Sequence, residues 1–198
     1  MKSTLPLMIF LAATPALAEE KRQLTTHEHG VGELNIAVDG ATVAIELVAP
    51  GADIVGFEYA AETEADRATV DAAVATLARP LDLFVFPAAA ECTVTQASAK
   101  LENDEEHKEH ADEGSHDDPD DHAEDDSHED HAEEGHGEFH AEYTLNCAAP
   151  DALTEITFAY FDAFENALEL EVQILTSEGA QAFEVERDAP NLDMRSLF

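Results

Sequence analysis

The feature that most limits what this chain can fold into is a stretch with almost nothing to bury. Residues 102–140 hold nineteen acidic side chains, one lysine and eight of the ten histidines. Apart from three alanines (Ala111, Ala123 and Ala132) and Phe139 near its end, the stretch is polar. It cannot remove enough apolar surface from water to offset the entropy of ordering. Residues 102–137 are therefore expected to form a disordered insert, and any folded core must be built from the sequence on either side.

Those flanks are strand-like. Residues 91–101 and 138–147 both read as strands, so the insert sits between them as an overgrown hairpin loop. Cys92 opens the first strand and Cys147 closes the second. Antiparallel pairing in register places these cysteines opposite one another, with Val94 opposite Leu145 and Gln96 opposite Tyr143. A Cys92–Cys147 disulfide is the expected outcome in an oxidising compartment. A loop of that length gives about 4 kcal/mol by chain-entropy arithmetic. The alternative use of the two thiolates, as zinc ligands, is the weaker reading because neither belongs to a CxxC pair.

The start of the chain supplies the compartment. Lys2 is followed by an apolar run, and Ala16-Leu17-Ala18 fits the small-x-small pattern of a cleavage site. This is the layout of a secretory signal peptide over residues 1–18. The apolar run falls short of the roughly 20 residues that span a bilayer, so membrane insertion is not expected. Residues 19–198 suit a single domain.

Local patterns then give a fold class. Leu34, Ile36 and Val38 alternate on one strand, and Val43, Ile45 and Leu47 on the next. Asp39-Gly40 between them is a two-residue hairpin signal. Pro50-Gly51 breaks the second strand, and Ile54, Val55 and Phe57 form a short apolar turn. Thr63-x-x-Asp66 resembles a helix cap, and Val70, Ala73, Val74 and Leu77 recur at helical spacing up to Arg79-Pro80. Residues 81–86 read as extended and residues 153–161 as a strand. Residues 168–176 and 182–187 read as a second hairpin. The sum is an α+β fold: an antiparallel β-sheet of six or seven strands with one main helix packed on one face.

Charge and histidine usage point to the chemistry. A formal net charge of −36 repels nucleic acid and anionic membranes and attracts cations. His107, His110, His116, His122, His128, His131, His136 and His140 are spaced three to six residues apart. A solvated linker needs acids but has no use for imidazoles. Imidazole nitrogen suits zinc, copper and nickel, with carboxylates completing the shell. Calcium fits poorly, because no EF-hand loop is present. Several exchangeable sites are expected here rather than one rigid site. His27 and His29, two apart at the head of the first strand, share a face. They form a candidate structured site, with His140 as a third ligand and Glu142 on the same strand face. Spacing alone leaves open whether His27 and His29 are instead unrelated histidines on a frayed terminus. No HExxH, nucleophile elbow or phosphate-binding glycine loop supports an enzyme.

The opening His27-Glu28-His29-Gly30-Val31-Gly32-Glu33-Leu34, the later Gly56-Phe57-Glu58, the cysteine pair and the histidine-rich insert resemble the ZrgA family of bacterial periplasmic zinc-binding proteins. The resemblance covers essentially the whole mature chain. It implies a periplasmic protein that captures or buffers zinc and assists its uptake, beside a periplasmic zinc-binding protein and its membrane transporter. It also strengthens His27 and His29 as ligands of a structured site. Family members often continue Gly-Phe-Glu with a histidine where this chain has Tyr59, which leaves that position without an imidazole. The alternative function is resistance or storage with copper or nickel as cargo.

Overall fold

The computed structural model describes residues 28–103 and 136–197. Nine strands lie among the described residues, in two sheets. The larger sheet has six strands in the order β4-β5-β2-β1-β7-β8. These are β1 (Val31–Asp39), β2 (Thr42–Pro50), β4 (Cys92–Asn103), β5 (Gly137–Cys147), β7 (Glu169–Thr176) and β8 (Gly179–Glu186). The smaller sheet joins β3 (Phe84–Val85), β6 (Glu155–Phe158) and β9 (Asn191–Asp193) in the order β3-β6-β9. The α+β class stands, with strands beyond the six or seven expected.

The first hairpin forms because its two apolar sets fall on one face. Leu34 pairs with Leu47, Ile36 with Ile45 and Val38 with Val43. Asp39 pairs with Thr42, so the turn residues are Gly40 and Ala41, one position later than the Asp39-Gly40 signal suggests. Gly40 takes the left-handed conformation there (φ 57°). The main helix, α2 (Glu64–Leu77), begins as its sequence predicts. The Thr63 hydroxyl accepts from the Asp66 amide at 3.1 Å, and the Asp66 carboxylate accepts from the Thr63 amide at 3.2 Å. Ala73 and Leu77 are its buried residues, with Val70 and Val74 packed at their edge.

Three expectations are corrected. The extended segment at 81–86 is a helical turn, α3 (Pro80–Leu83), followed by the two residues of β3. The strand at 153–161 ends at Phe158 and gives way to the helical turn α4 (Tyr160–Ala163). Short apolar runs of this kind carry no period that separates strand from helical turn. The sheet is also mixed, because β1 and β7 run parallel, with Val31 opposite Glu169.

The disulfide forms as the register predicts. Cys92 lies opposite Cys147 and Val94 opposite Leu145, and the two sulfurs are bonded. A register shift between Val94 and Gln96 then places Gln96 opposite Thr144 and Ala97 opposite Tyr143. The expected Gln96–Tyr143 pair is therefore wrong by one residue, the effect of an extra residue in one strand of a ladder. Regular pairing continues to Asn103 opposite Gly137, so the strands take in both ends of the expected 102–137 insert. Residues 104–135 lie outside the described residues, as does the expected signal peptide.

One face of the large sheet is buried by Leu34, Leu47, Phe139, Tyr143 and Val172 among others. It meets α2 through Ala73 and Leu77, and the small sheet through an aromatic cluster. Phe84 stacks on Tyr160 at 6.2 Å between ring centroids and meets Phe158 edge-on at 6.0 Å and Tyr143 at 6.2 Å. Burial pushes the Tyr143 and Tyr160 phenols above their ordinary range. The Arg187 guanidinium, just after β8, ties down α4 and the chain that follows it by donating to the carbonyls of Phe161, Phe164 and Ala167. The opposite sheet face is acidic: Glu33, Glu171 and Glu184 lie side by side across three strands. Among the described residues no helix is long and apolar enough to cross a membrane.

Candidate metal centre

Three chain segments meet at one end of the large sheet, and each brings a polar side chain. The first is the turn before β1. Gly30 takes φ 92°, and a Cβ at that position would lie 3.0 Å from Leu168 Cδ1. Its carbonyl accepts from the amides of Leu168 and Glu169, each at 2.8 Å. Its amide donates to Asp53 Oδ1 at 2.7 Å. This turn carries His29.

The second segment follows β2. Pro50 and Gly51 end the strand and start the short helix α1 (Gly51–Val55). A Cβ on Gly51 would stand 2.7 Å from the Phe57 carbonyl oxygen and 2.8 Å from that of Gly137. Only glycine allows the backbone to fold back this closely. Gly56 closes α1 in the left-handed conformation (φ 84°), and Glu58 comes two residues later. The third segment is the start of β5, where the Gly137 amide donates to the Glu58 carbonyl at 3.2 Å. His136 immediately precedes it.

The side chains converge on Glu58. His29 Nε2 lies 3.0 Å from Glu58 Oε1, and His136 Nδ1 lies 3.0 Å from Glu58 Oε2. Each carboxylate oxygen thus has its own imidazole. The Glu58 side chain is 15% exposed, whereas His29 and His136 are 66% and 57% exposed. Burial alone would push the Glu58 carboxyl up. The hydrogen bonds from His136 and His29 more than reverse this and hold it below the usual glutamate range. Asp53, beneath the His29 turn, shifts the other way. Burial raises its carboxyl above the usual range, against the opposing effects of the Gly30 amide and His29.

Among the described residues no three His, Cys, Asp or Glu side chains already form a coordination shell. Two pairs of possible ligands are nevertheless close, His29 with Glu58 and His136 with Glu58, each at 3.0 Å. Zinc bonds of about 2.0–2.2 Å put neighbouring ligands of a tetrahedron about 3.3 Å apart. A shift of a few tenths of an ångström would take the two hydrogen-bonded pairs to that separation.

Sequence matches the chain to a known group. The family model described as ZrgA family zinc uptake protein matches residues 26–194. The chain belongs to the ZrgA family. No curated protein matches it. ZrgA membership gives the chain a zinc-related uptake role.

The expected ligands fare differently. His27, His107, His110, His116, His122, His128 and His131 lie outside the described residues. His29 sits in a turn and β1 begins only at Val31, so shared strand geometry does not relate it to His27. His140 is not brought to His29. It lies on the acidic face of β5, with Nε2 3.4 Å from Glu102 Oε2 and 3.6 Å from Glu138 Oε2. Three residues of strand separate it from Gly137, roughly 10 Å. Glu58, and not His140, is the side chain that stands beside His29. It stands in the Gly56-Phe57-Glu58 segment that carries part of the family resemblance, which is the available signal. Tyr59 is 56% exposed and stacks on Phe57 at 4.6 Å. Asp53 had no signal among forty-five acidic residues.

Proposed function

We propose that this ZrgA family member captures zinc in the periplasm and assists its uptake, with His29, Glu58 and His136 as the ligands of an ordered site. The observation that carries the reading is the convergence of two exposed imidazoles on one shielded carboxylate. Imidazole and carboxylate are both zinc ligands, and the exposed rings leave the ion a path from solvent. Solvent or a side chain from elsewhere in the chain would complete the tetrahedron. The histidines of residues 107–131 act as further exchangeable ligands that raise the local zinc concentration. His136 adjoins the end of that segment, so an ion held there can pass to Glu58 and His29 by stepwise ligand exchange. Release to a transporter's binding protein follows the same logic in reverse.

Competition with a zinc chelator tests the assignment on the full chain. The variant with both His29→Ala and His136→Ala should lose the tightest zinc equivalent and retain the weaker ones. An unchanged tightest constant would remove these residues from the site. Expression decides between the roles, because copper(II) outbinds zinc at such ligands in either case: induction by zinc starvation supports uptake, and induction by excess copper or nickel supports resistance or storage.

A further inference from the structure

Asp53 is the buried charged residue of the described chain, 2% exposed, and half of its carboxylate is unsatisfied. Oδ1 accepts from the Gly30 amide at 2.7 Å, and Oδ2 is buried without a hydrogen-bond partner. A buried carboxylate with one unmatched oxygen works against folding. An apolar side chain of similar volume would avoid that cost but would orphan the buried Gly30 amide, so the one thing the carboxylate does for the chain is to hold that amide.

What Asp53 supplies is orientation. The Gly30 carbonyl is already fixed by the Leu168 and Glu169 amides at the head of β7. That bond pair sets the peptide after Gly30. The peptide before it, which joins His29 to Gly30, is set by the bond from the Gly30 amide to Asp53. With Gly30 at φ 92°, the direction of this peptide decides where the His29 Cα and its imidazole point. The carboxylate is therefore linked to the residue whose ring meets Glu58 by one hydrogen bond and the peptide that follows it.

We propose that Asp53 is a positioning residue for the zinc ligand His29, acting through the His29–Gly30 peptide. The inference rests on the reading of His29, Glu58 and His136 as ligands. It parallels the way partners outside a metal's own shell orient its ligands.

The test uses the full chain with zinc as the probe, chelator competition for affinity, and NMR of the His29 ring and the Gly30 amide to identify the site. Asp53→Asn keeps an acceptor oxygen and should bind zinc within about threefold of the parent. Asp53→Ala removes the acceptor and should weaken the tightest equivalent by about tenfold or more, with the protein still folded at the assay temperature. Tight binding by Asp53→Ala, in a protein where His29→Ala binds weakly, would overturn the positioning role and leave the ligand reading intact. Equal weakening in Asn and Ala would also overturn it, because charge and not the hydrogen bond would then matter. If His29→Ala itself changes nothing, the ligand reading fails and this inference with it. Should Asp53→Ala not fold, the unmodified protein still decides. The first zinc equivalent should shift the Gly30 amide together with the His29 ring, and a ring shift with a stationary amide would sink the proposal.

Discussion

His136 reaches back seventy-eight residues to hydrogen bond with Glu58, Nδ1 to Oε2 at 3.0 Å. The contact joins the start of β5 to the end of the α1 turn, and His29 occupies the other oxygen of the same carboxylate. Glu58 is thus the common point of two otherwise separate imidazoles.

Replacing it should show this directly. Glu58→Gln keeps the shape and one acceptor oxygen but removes the charge. We expect zinc affinity at the tightest equivalent to fall by roughly 10–100-fold, whether the carboxylate binds the ion or orients the rings. Chelator competition measures it, and a smaller change than threefold would place Glu58 outside the site.

Stability of the metal-free protein should depend on the same carboxylate. The Glu58 carboxyl is held below its usual range in the folded state. Its contribution is therefore present above the unfolded carboxylate value, about 4.3, and is lost as pH falls through the folded value. Melting temperatures recorded between roughly pH 6 and pH 3 should fall more steeply for the parent than for Glu58→Gln. The raised carboxyl of Asp53 has the opposite sign: its ionisation removes stability as pH rises through its folded value.

The histidine-rich segment can be separated from the ordered site. Asn103 and Gly137 are register partners, so a chain in which residues 104–135 are replaced by a short Gly-Ser linker keeps the β4–β5 ladder. Titration calorimetry should then show fewer zinc equivalents with the tightest one retained. Unchanged stoichiometry would rule out the segment as a source of ligands.

Gly51→Ala tests the fold-back that places Glu58. Its Cβ would meet two carbonyl oxygens, at 2.7 and 2.8 Å, so backbone must move. A loss of about 1–3 kcal/mol in urea unfolding is expected, as for an overpacked site, together with weaker zinc binding.

Tyr160→Phe should have the opposite effect on stability. The Tyr160 hydroxyl is buried without a hydrogen-bond partner, while its ring packs against Phe84, Phe161 and Phe164. Removing the hydroxyl keeps the ring contacts, and a gain of about 1 kcal/mol is expected in the same unfolding assay.

What the sequence makes legible is local. The β1–β2 hairpin, the Thr63–Asp66 cap and the Cys92–Cys147 pairing each depend on residues within a few positions or on one ladder. The extra residue near Thr95 is invisible because the pattern around it satisfies either register. The helical turns at Pro80–Leu83 and Tyr160–Ala163 are too short to display a period. The meeting of His29, Glu58 and His136 depends on three backbone reversals, at Gly30, Gly51 and Gly56, whose combined outcome is tertiary. The Gly-Phe-Glu motif marked the place without saying which side chain would lie at its centre.

The parallel pairing of β1 with β7 has a consequence for timing. Val31 cannot acquire its neighbour Glu169 until most of the chain exists, and β1 lies inside the sheet rather than at its edge. A partial chain therefore has its first hairpin but not the latch from Gly30 to the head of β7. Pairings this distant in sequence are slow to form. The Gly30 latch that braces the His29 turn therefore depends on a pairing between the two ends of the chain.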